Sequence, residues 1–304
     1  MKKKFFVFII TVLIFTAGFY FHKTDNNIYR NFSVPETKIN IKSPSYVPVL
    51  EYHHLQKEGT FDKKLGGLII DPGRFEMQMK YLKSKGYHTI TLEELKNFVL
   101  YNKSLPSKPM LITFDDGYLS NYEYAYPILK NLHMNAVINI IVSYVPNDYK
   151  KQPACVHVPH FDWKQAKEMS DSGVIEIESH TYNLHNLASN GKTMIPMVSG
   201  PILVNGRLET ESQYKERLKR DFILSSTLIK KHVGKAPVAI AYPFGVGNHI
   251  SNEIARKAGF EMAFAQEREG VVRFGDDVMS LKRIIINNSF TGRDIINQIN
   301  KYGR

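Results

Sequence analysis

Short apolar runs separated by helix-like stretches recur along most of the chain, and this alternation restricts the fold more than any other feature. Strand-like runs fall at 47–52, 88–90, 110–113, 136–142, 174–179, 238–242, 262–265 and 280–286. Between them, Asp71-Pro72 opens a helix with Phe75, Met79 and Leu82 at helical spacing and Gly86 behind them. Thr91 and Glu94 form a capping box for the next helix. Residues 207–232 predict a long helix with a polar face, and 251–258 a short one before Gly259. Strands that alternate with helices return to one sheet by crossovers, which makes the sheet parallel and points to an α/β fold of the (β/α) barrel kind. The chain has 304 residues, 43% of them hydrophobic, enough for one large core, and its length does not require a second domain. Neither an internal repeat nor a low-complexity segment interrupts the pattern.

In parallel α/β folds the chemistry gathers at the C-terminal ends of strands, and three motifs stand at such ends. The first is Thr113-Phe114-Asp115-Asp116-Gly117. The apolar run from Pro109 leads into it and Gly117 breaks it, so both aspartates are expected to project from the strand's end as a metal-and-base site. Alone, an Asp pair is more often a solvated loop or a helix cap. The second motif follows the run 174–179 and reads His180-Thr181-Tyr182-Asn183-Leu184-His185. Two imidazoles and one carboxylate are a common ligand set for a catalytic zinc with a position open to water. His180 and His185 stand i, i+5, which is not one helix face, so a loop is expected to carry them. The third motif, Ala239 to Gly245, ends an apolar strand in Tyr242-Pro243-Phe244-Gly245. Its side chains do no acid–base work at neutral pH, but such a turn can hold a backbone N–H rigidly, and a donor of that kind stabilises an oxyanion.

In this order and at these strand ends, the three motifs resemble the polysaccharide deacetylase (NodB-type) family of carbohydrate esterases, from Val47 onward. The Ser179-to-His185 form, with Trp163-Lys164-Gln165 and Met169 to Gly173 upstream, is similar to a narrower branch, the poly-β-1,6-N-acetylglucosamine deacetylases of intercellular adhesin (biofilm) formation. The resemblance implies a distorted (β/α) barrel of about seven strands, with Asp116, His180 and His185 binding one divalent metal ion, zinc in first place and cobalt or nickel as alternatives. It implies that Asp115 is the catalytic base and that the Phe244 N–H serves the oxyanion, with Tyr242 in support. Many members carry a late Leu-x-His motif linked to protonation of the departing amine. Here the matching strand reads Ser280-Leu281-Lys282-Arg283, and arginine does not give up a proton at neutral pH. Arg283 is expected instead to orient Asp115 by a charge-assisted pair, or Asp115 itself to return the proton. The family's arginine before the Pro-Gly turn is also absent, since Ala239 and Ala241 occupy that stretch. The substrate implied is poly-N-acetylglucosamine, with peptidoglycan or chitin-type glycans and a non-catalytic glycan-binding role as competing readings.

Lys2-Lys3-Lys4 followed by the 17-residue apolar run 5–21 reads as a signal peptide or N-terminal membrane anchor over 1–28, joined by a polar linker over 29–46 to a deacetylase domain over 47–304. The single cysteine, Cys155, forms no intramolecular disulfide. The net charge of +11 is dispersed, and beside an export segment it points to an anionic cell surface or membrane rather than to nucleic acid. The expected product is a monomer, secreted and retained at the cell surface or wall. Trp163, the only tryptophan, either stacks on a sugar ring or belongs to the scaffold, and one of His53 and His54 is placed to reach the site. The stretch 190–204 has two glycines and two prolines yet many apolar residues, which marks it as a contact surface at the membrane or the glycan groove, or else as ordinary packing.

Overall fold

Every strand-like run of the sequence enters one parallel sheet. In the computed structural model, which describes residues 44–60, 67–153, 157–265 and 269–304, these strands are β1 (Val49–Tyr52), β2 (His88–Thr89), β3 (Pro109–Asp116), β4 (Ala136–Ile140), β5 (Ile175–Ser179), β6 (Ala239–Ala241), β7 (Met262–Phe264) and β8 (Ile284–Ile285). The export segment, the linker up to residue 43 and Cys155 lie outside the described residues. The order across the sheet is β7-β6-β5-β4-β3-β1-β8, with β2 paired to the first residues of β3. The two ends approach one another through a parallel bridge between Phe264 and Leu281, where the Leu281 N–H donates to Ala263 O. The result is the distorted barrel, with seven strands on its path.

The helices begin where their caps dictate. Asp71 accepts from the N–H groups of Gly73 and Arg74 to start α1 (Pro72–Ser84), and the Thr91–Glu94 box starts α2 (Leu92–Tyr101). They are followed by α3 (Tyr126–Asn131), α4 (Trp163–Asp171), α5 (Glu211–Val233), α6 (His249–Lys257) and α7 (Gly292–Gly303). Alternation along each strand then sorts the side chains into layers. Leu50, Tyr52, Ile112, Phe114 and Ile138 pack outward against Phe75, Leu129, Met169 and Ile295 of the covering helices. The alternate positions Val49, Leu111, Val137, Ala239, Ala241 and Phe264 pack with one another and with Leu95 and Phe98 of α2. One step further along the same inward positions the chain turns polar, at Glu51, Thr113, Asp115, Asn139, Glu178 and Arg283, all of them buried. A buried polar layer over an apolar one needs mutual hydrogen bonding to be stable, and the site grows out of that requirement.

Three expectations are corrected. First, β3 continues through both aspartates, which are in the strand and buried rather than beyond it. Second, the long helix starts at Glu211 and not at 207, because Asn205-Gly206, at φ 50° and 76°, turns a hairpin that pairs Leu203–Val204 with Arg207–Leu208. Asn-Gly between apolar residues is a strong hairpin signal, and Thr210 then caps the helix. Third, the run 280–286 is broken, joining β7 at Leu281 and β1 at Ile284–Ile285. The stretch 190–204 contributes strands to two small hairpins, the other pairing Leu187–Ser189 with Met194–Pro196. Within it Val198 and Ile202 are buried, while Met194, Leu203 and Val204 are exposed.

Candidate active site

Adjacent residues on a strand point to opposite faces, so Asp115 and Asp116 cannot both enter one site from a regular β3. The backbone resolves the conflict at Asp116, whose φ of 76° lies in the left-handed region. Gly117 follows at φ 85°, and a Cβ there would stand 2.9 Å from Ile140 Cγ2, so only glycine fits. Two further left-handed residues flank the same centre, Thr181 directly after His180 and Phe244 in the Pro-Gly turn.

Asp116 Oδ1 lies 3.6 Å from His180 Nε2 and 3.3 Å from His185 Nε2. His180 is buried just past β5, and its Nδ1 is 2.8 Å from Ala241 O. A carbonyl only accepts, so Nδ1 carries the proton and Nε2 presents its lone pair to the cleft. Burial pushes the His180 pKa down to about 4, which keeps the ring neutral. Burial acts upward on Asp116, but the imidazoles of His185, His53 and His180 hold it below the usual carboxylate range. The loop carrying His185 is tied to α5, where Asp221 accepts from the N–H groups of Tyr182 and Asn183, each at 2.8 Å. A neutral imidazole and an ionised carboxylate are the forms in which these side chains ligate a metal. Their donor atoms lie within 4.8 Å of one another, and Asp116 Oδ1 is buried without a hydrogen-bond partner among the described residues. These residues fit a divalent ion.

Asp115 is held from three directions. Arg283 Nη1 and Nη2 donate to its Oδ1 and Oδ2 at 2.8 and 2.7 Å, and Asn139 Nδ2 donates to Oδ1 at 2.7 Å. Burial would raise its pKa, but the Arg283 guanidinium, with His180 adding to it, carries the group well below the ordinary carboxylate range. Arg283 Nε also faces Glu51 Oε2 at 3.1 Å, and Glu51 Oε1 faces His53 Nε2 at 3.7 Å. A cavity of about 260 Å³ opens over Asp115, Asp116, His180, His185, His53 and Arg283, with Phe244 and Ile285 at its wall. Larger clefts of about 400 Å³ lie beside His54 and under Glu176, but the acid–base groups converge in the smaller one.

The Phe244 ring packs on His185 with centroids 5.0 Å apart. The turn's own hydrogen bonds are made by the N–H groups of Gly245 and Val246, to Tyr242 O and Pro243 O. Tyr242 is fully buried beneath the turn and donates to Asn252 Oδ1, so it supports the turn and does not line the cavity. Trp163 is not in the cleft either. The Asp162–Gln165 capping box starts α4 at Trp163, and the indole packs into the outer core, stacked on His232 at 4.5 Å. Of the two neighbouring histidines, His53 faces the cavity, while His54 turns away to Ser120 Oγ at 2.9 Å. Sequence reasoning missed Glu51 and Asn139. Their signal was a polar residue at an inward position of an otherwise apolar strand, Val-Leu-Glu-Tyr and Ala-Val-Ile-Asn-Ile.

Known proteins agree with this architecture. Residues 102–263, over half of the chain, match the sequence profile described as polysaccharide deacetylase. The chain is 27% identical over 263 residues to the poly-β-1,6-N-acetyl-D-glucosamine N-deacetylase of Escherichia coli (strain K12), covering 82% of this chain but 38% of that protein, so it spans well under half of that relative's length. It is also 27% identical over 267 residues to the protein of the same name from Staphylococcus aureus (strain MRSA252), covering 84% of each. The structure of a de-N-acetylase from Aggregatibacter actinomycetemcomitans is similar at a TM-score of 0.74 and 28% identity, over 83% of this chain and 99% of that one. The motifs at the strand ends, the profile that spans them and the shared barrel have one source: the chain belongs to the polysaccharide deacetylase family.

Proposed function

We propose that the chain is a divalent-metal-dependent N-deacetylase of extracellular poly-β-1,6-N-acetylglucosamine, releasing acetate and leaving glucosamine units in a biofilm polymer. The observation that carries this reading is the meeting, in one cleft, of Asp116, His180 and His185 with a separate carboxylate, Asp115, held by Arg283. A divalent ion, zinc in first place, would supply Lewis acidity there and lower the pKa of its water to about 7. Asp115, kept ionised by Arg283, accepts the proton of the water as it attacks the N-acetyl carbonyl. The Phe244 N–H would receive the developing oxyanion. The amine departs only if it is protonated, and Arg283 cannot do this. His53 faces the same cavity and is the group we assign to that transfer.

Amine release from defined β-1,6 and β-1,4 N-acetylglucosamine oligomers tests the substrate. Faster turnover of the β-1,6 series, by about tenfold or more (roughly 1.4 kcal/mol), is expected. The reverse preference transfers the reading to chitin-type or peptidoglycan glycans, and no release from either series leaves a binding protein.

The same proposal places the enzyme, exported and retained, against an anionic surface. Met194, Leu203, Val204 and Leu208 are exposed on the two hairpins, and Arg207 and Arg220 line the groove next to them. Apolar tips with basic neighbours suit a membrane interface. In protein lacking residues 1–28, changing Met194, Val204 and Leu208 to Ser is expected to weaken binding to anionic vesicles several-fold with an unchanged melting temperature. Unchanged vesicle binding overturns this part of the proposal.

A further inference from the structure

Glu51, His53 and Asp115 bring a second set of ligand-type atoms within 4.8 Å of one another, directly beside the first. Taken by side-chain type, this is another cation site. The positive charge it calls for is already present, because the Arg283 guanidinium lies between the two carboxylates, its Nη edge on Asp115 and its Nε on Glu51. The set is therefore read for what it does to protons.

We infer that Glu51 is a positioning residue for the proton donor, holding the orientation of the His53 ring while Arg283 separates it from the base. This rests on the assignment of His53 in the proposed function. The geometry supports it on three counts. Glu51 is on an inward position of β1 and buried, so its carboxylate has a fixed direction. Its two oxygens are divided, Oε2 toward Arg283 at 3.1 Å and Oε1 toward His53 at 3.7 Å. The ring that Glu51 faces lines the cavity over Asp115, Asp116, His180 and His185. The groups facing Glu51 are Arg283, Asp115, Asp116 and His53. Burial raises its pKa against the pull of Arg283, whereas Asp115, on the other edge of the same guanidinium, is carried down. In turnover the proton passes from His53 to the amine nitrogen as its bond to the carbonyl carbon breaks, and the ring is recharged by the proton that Asp115 took from the water.

The test uses two substrates, an N-acetylglucosamine oligomer, whose amine must be protonated to leave, and p-nitrophenyl acetate, whose leaving group needs no proton. Glu51→Gln is expected to lower kcat on the oligomer about 10- to 100-fold, within the range of a general acid's contribution, with KM and metal content little changed. Hydrolysis of p-nitrophenyl acetate stays within about twofold, the span of roughly 0.4 kcal/mol. Glu51→Asp, which keeps the charge but withdraws it by one methylene, falls between the wild type and Gln and guards against a variant that fails to fold. Equal losses on both substrates, or no loss on either, overturn the inference. His53→Ala separates it from the reading beneath it. If that variant deacetylates normally, the donor assignment itself falls, whereas an inactive His53→Ala beside a normal Glu51→Gln removes only the role of Glu51.

Discussion

His180→Ala and His185→Ala are expected to lose turnover altogether and to lose the bound metal with it. The two variants differ in a way that the structure specifies. His180 is buried and anchored to Ala241 O, so its removal leaves a cavity and an unpaired carbonyl and also lowers stability. His185 is about a quarter exposed on its loop, and its removal leaves the fold nearly as stable as before. Thermal melting with and without added zinc reads both effects. A metal present at a hundred times its dissociation constant stabilises the native state by about 2.7 kcal/mol, and that increment should vanish in both variants. Asp115→Asn is the contrast: it keeps the metal-dependent increment and loses about 10² to 10⁴ in turnover. Normal metal stabilisation in either histidine variant removes the ligand assignment. Equal metal loss in Asp115→Asn means that base and ligand have been divided wrongly.

The second large effect belongs to Arg283. Replacing it by Met strands two buried carboxylates, Asp115 and Glu51, and removing one partner of a buried pair costs about 3–5 kcal/mol. For a domain of this size that is roughly 10 °C in melting temperature. The pH dependence has a definite sign. Asp115 now titrates below its unfolded value, so its contribution to stability is present above pH 4 and is lost as the pH falls through the folded value. The gap between wild type and Arg283→Met should therefore be full from neutrality down to about pH 4 and narrow as the pH falls below it. Arg283→Lys restores the charge but not the two-pronged contact, and should recover part of the stability at most. A melting temperature unchanged at pH 7 would show that the pair is not what holds this layer together.

Much of the fold could be read from residue periodicity. The strands were visible as apolar runs, and Asp71 and Thr91 announced their helices because a capping residue acts within one turn. What escaped depended on contacts between distant parts of the chain. Nothing local to Glu51 says that it meets Arg283, which lies at the other end of the sequence and arrives only because β1 pairs with β8. Arg283 itself was legible as a partner for Asp115 through the resemblance, since it stands where many family members carry a late histidine and an arginine there can pair with a carboxylate but not give up a proton. Trp163 is ambiguous when read alone, and the signal that resolves it is in Asp162 and Gln165, whose capping box fixes where the helix begins. The hairpin at Asn205-Gly206 was overlooked because the helical pattern beyond it is strong enough to mask a short turn.

Three non-glycine residues with left-handed backbones, Asp116, Thr181 and Phe244, surround the centre. Such conformations cost of order 1–3 kcal/mol each and persist only where the surroundings enforce them. Glycine would relieve the strain at any of the three, but at 116 it deletes the carboxylate and at 244 the ring against His185, so the obvious route to a more heat-resistant enzyme is closed at two of them. The arrangement also limits how the centre can be borrowed. Grafting Asp115, Asp116, His180 and His185 onto another barrel with regular strands would leave one aspartate facing the wrong layer, so a transplant must copy the three kinks, and Gly117 with them, before it copies a single ligand.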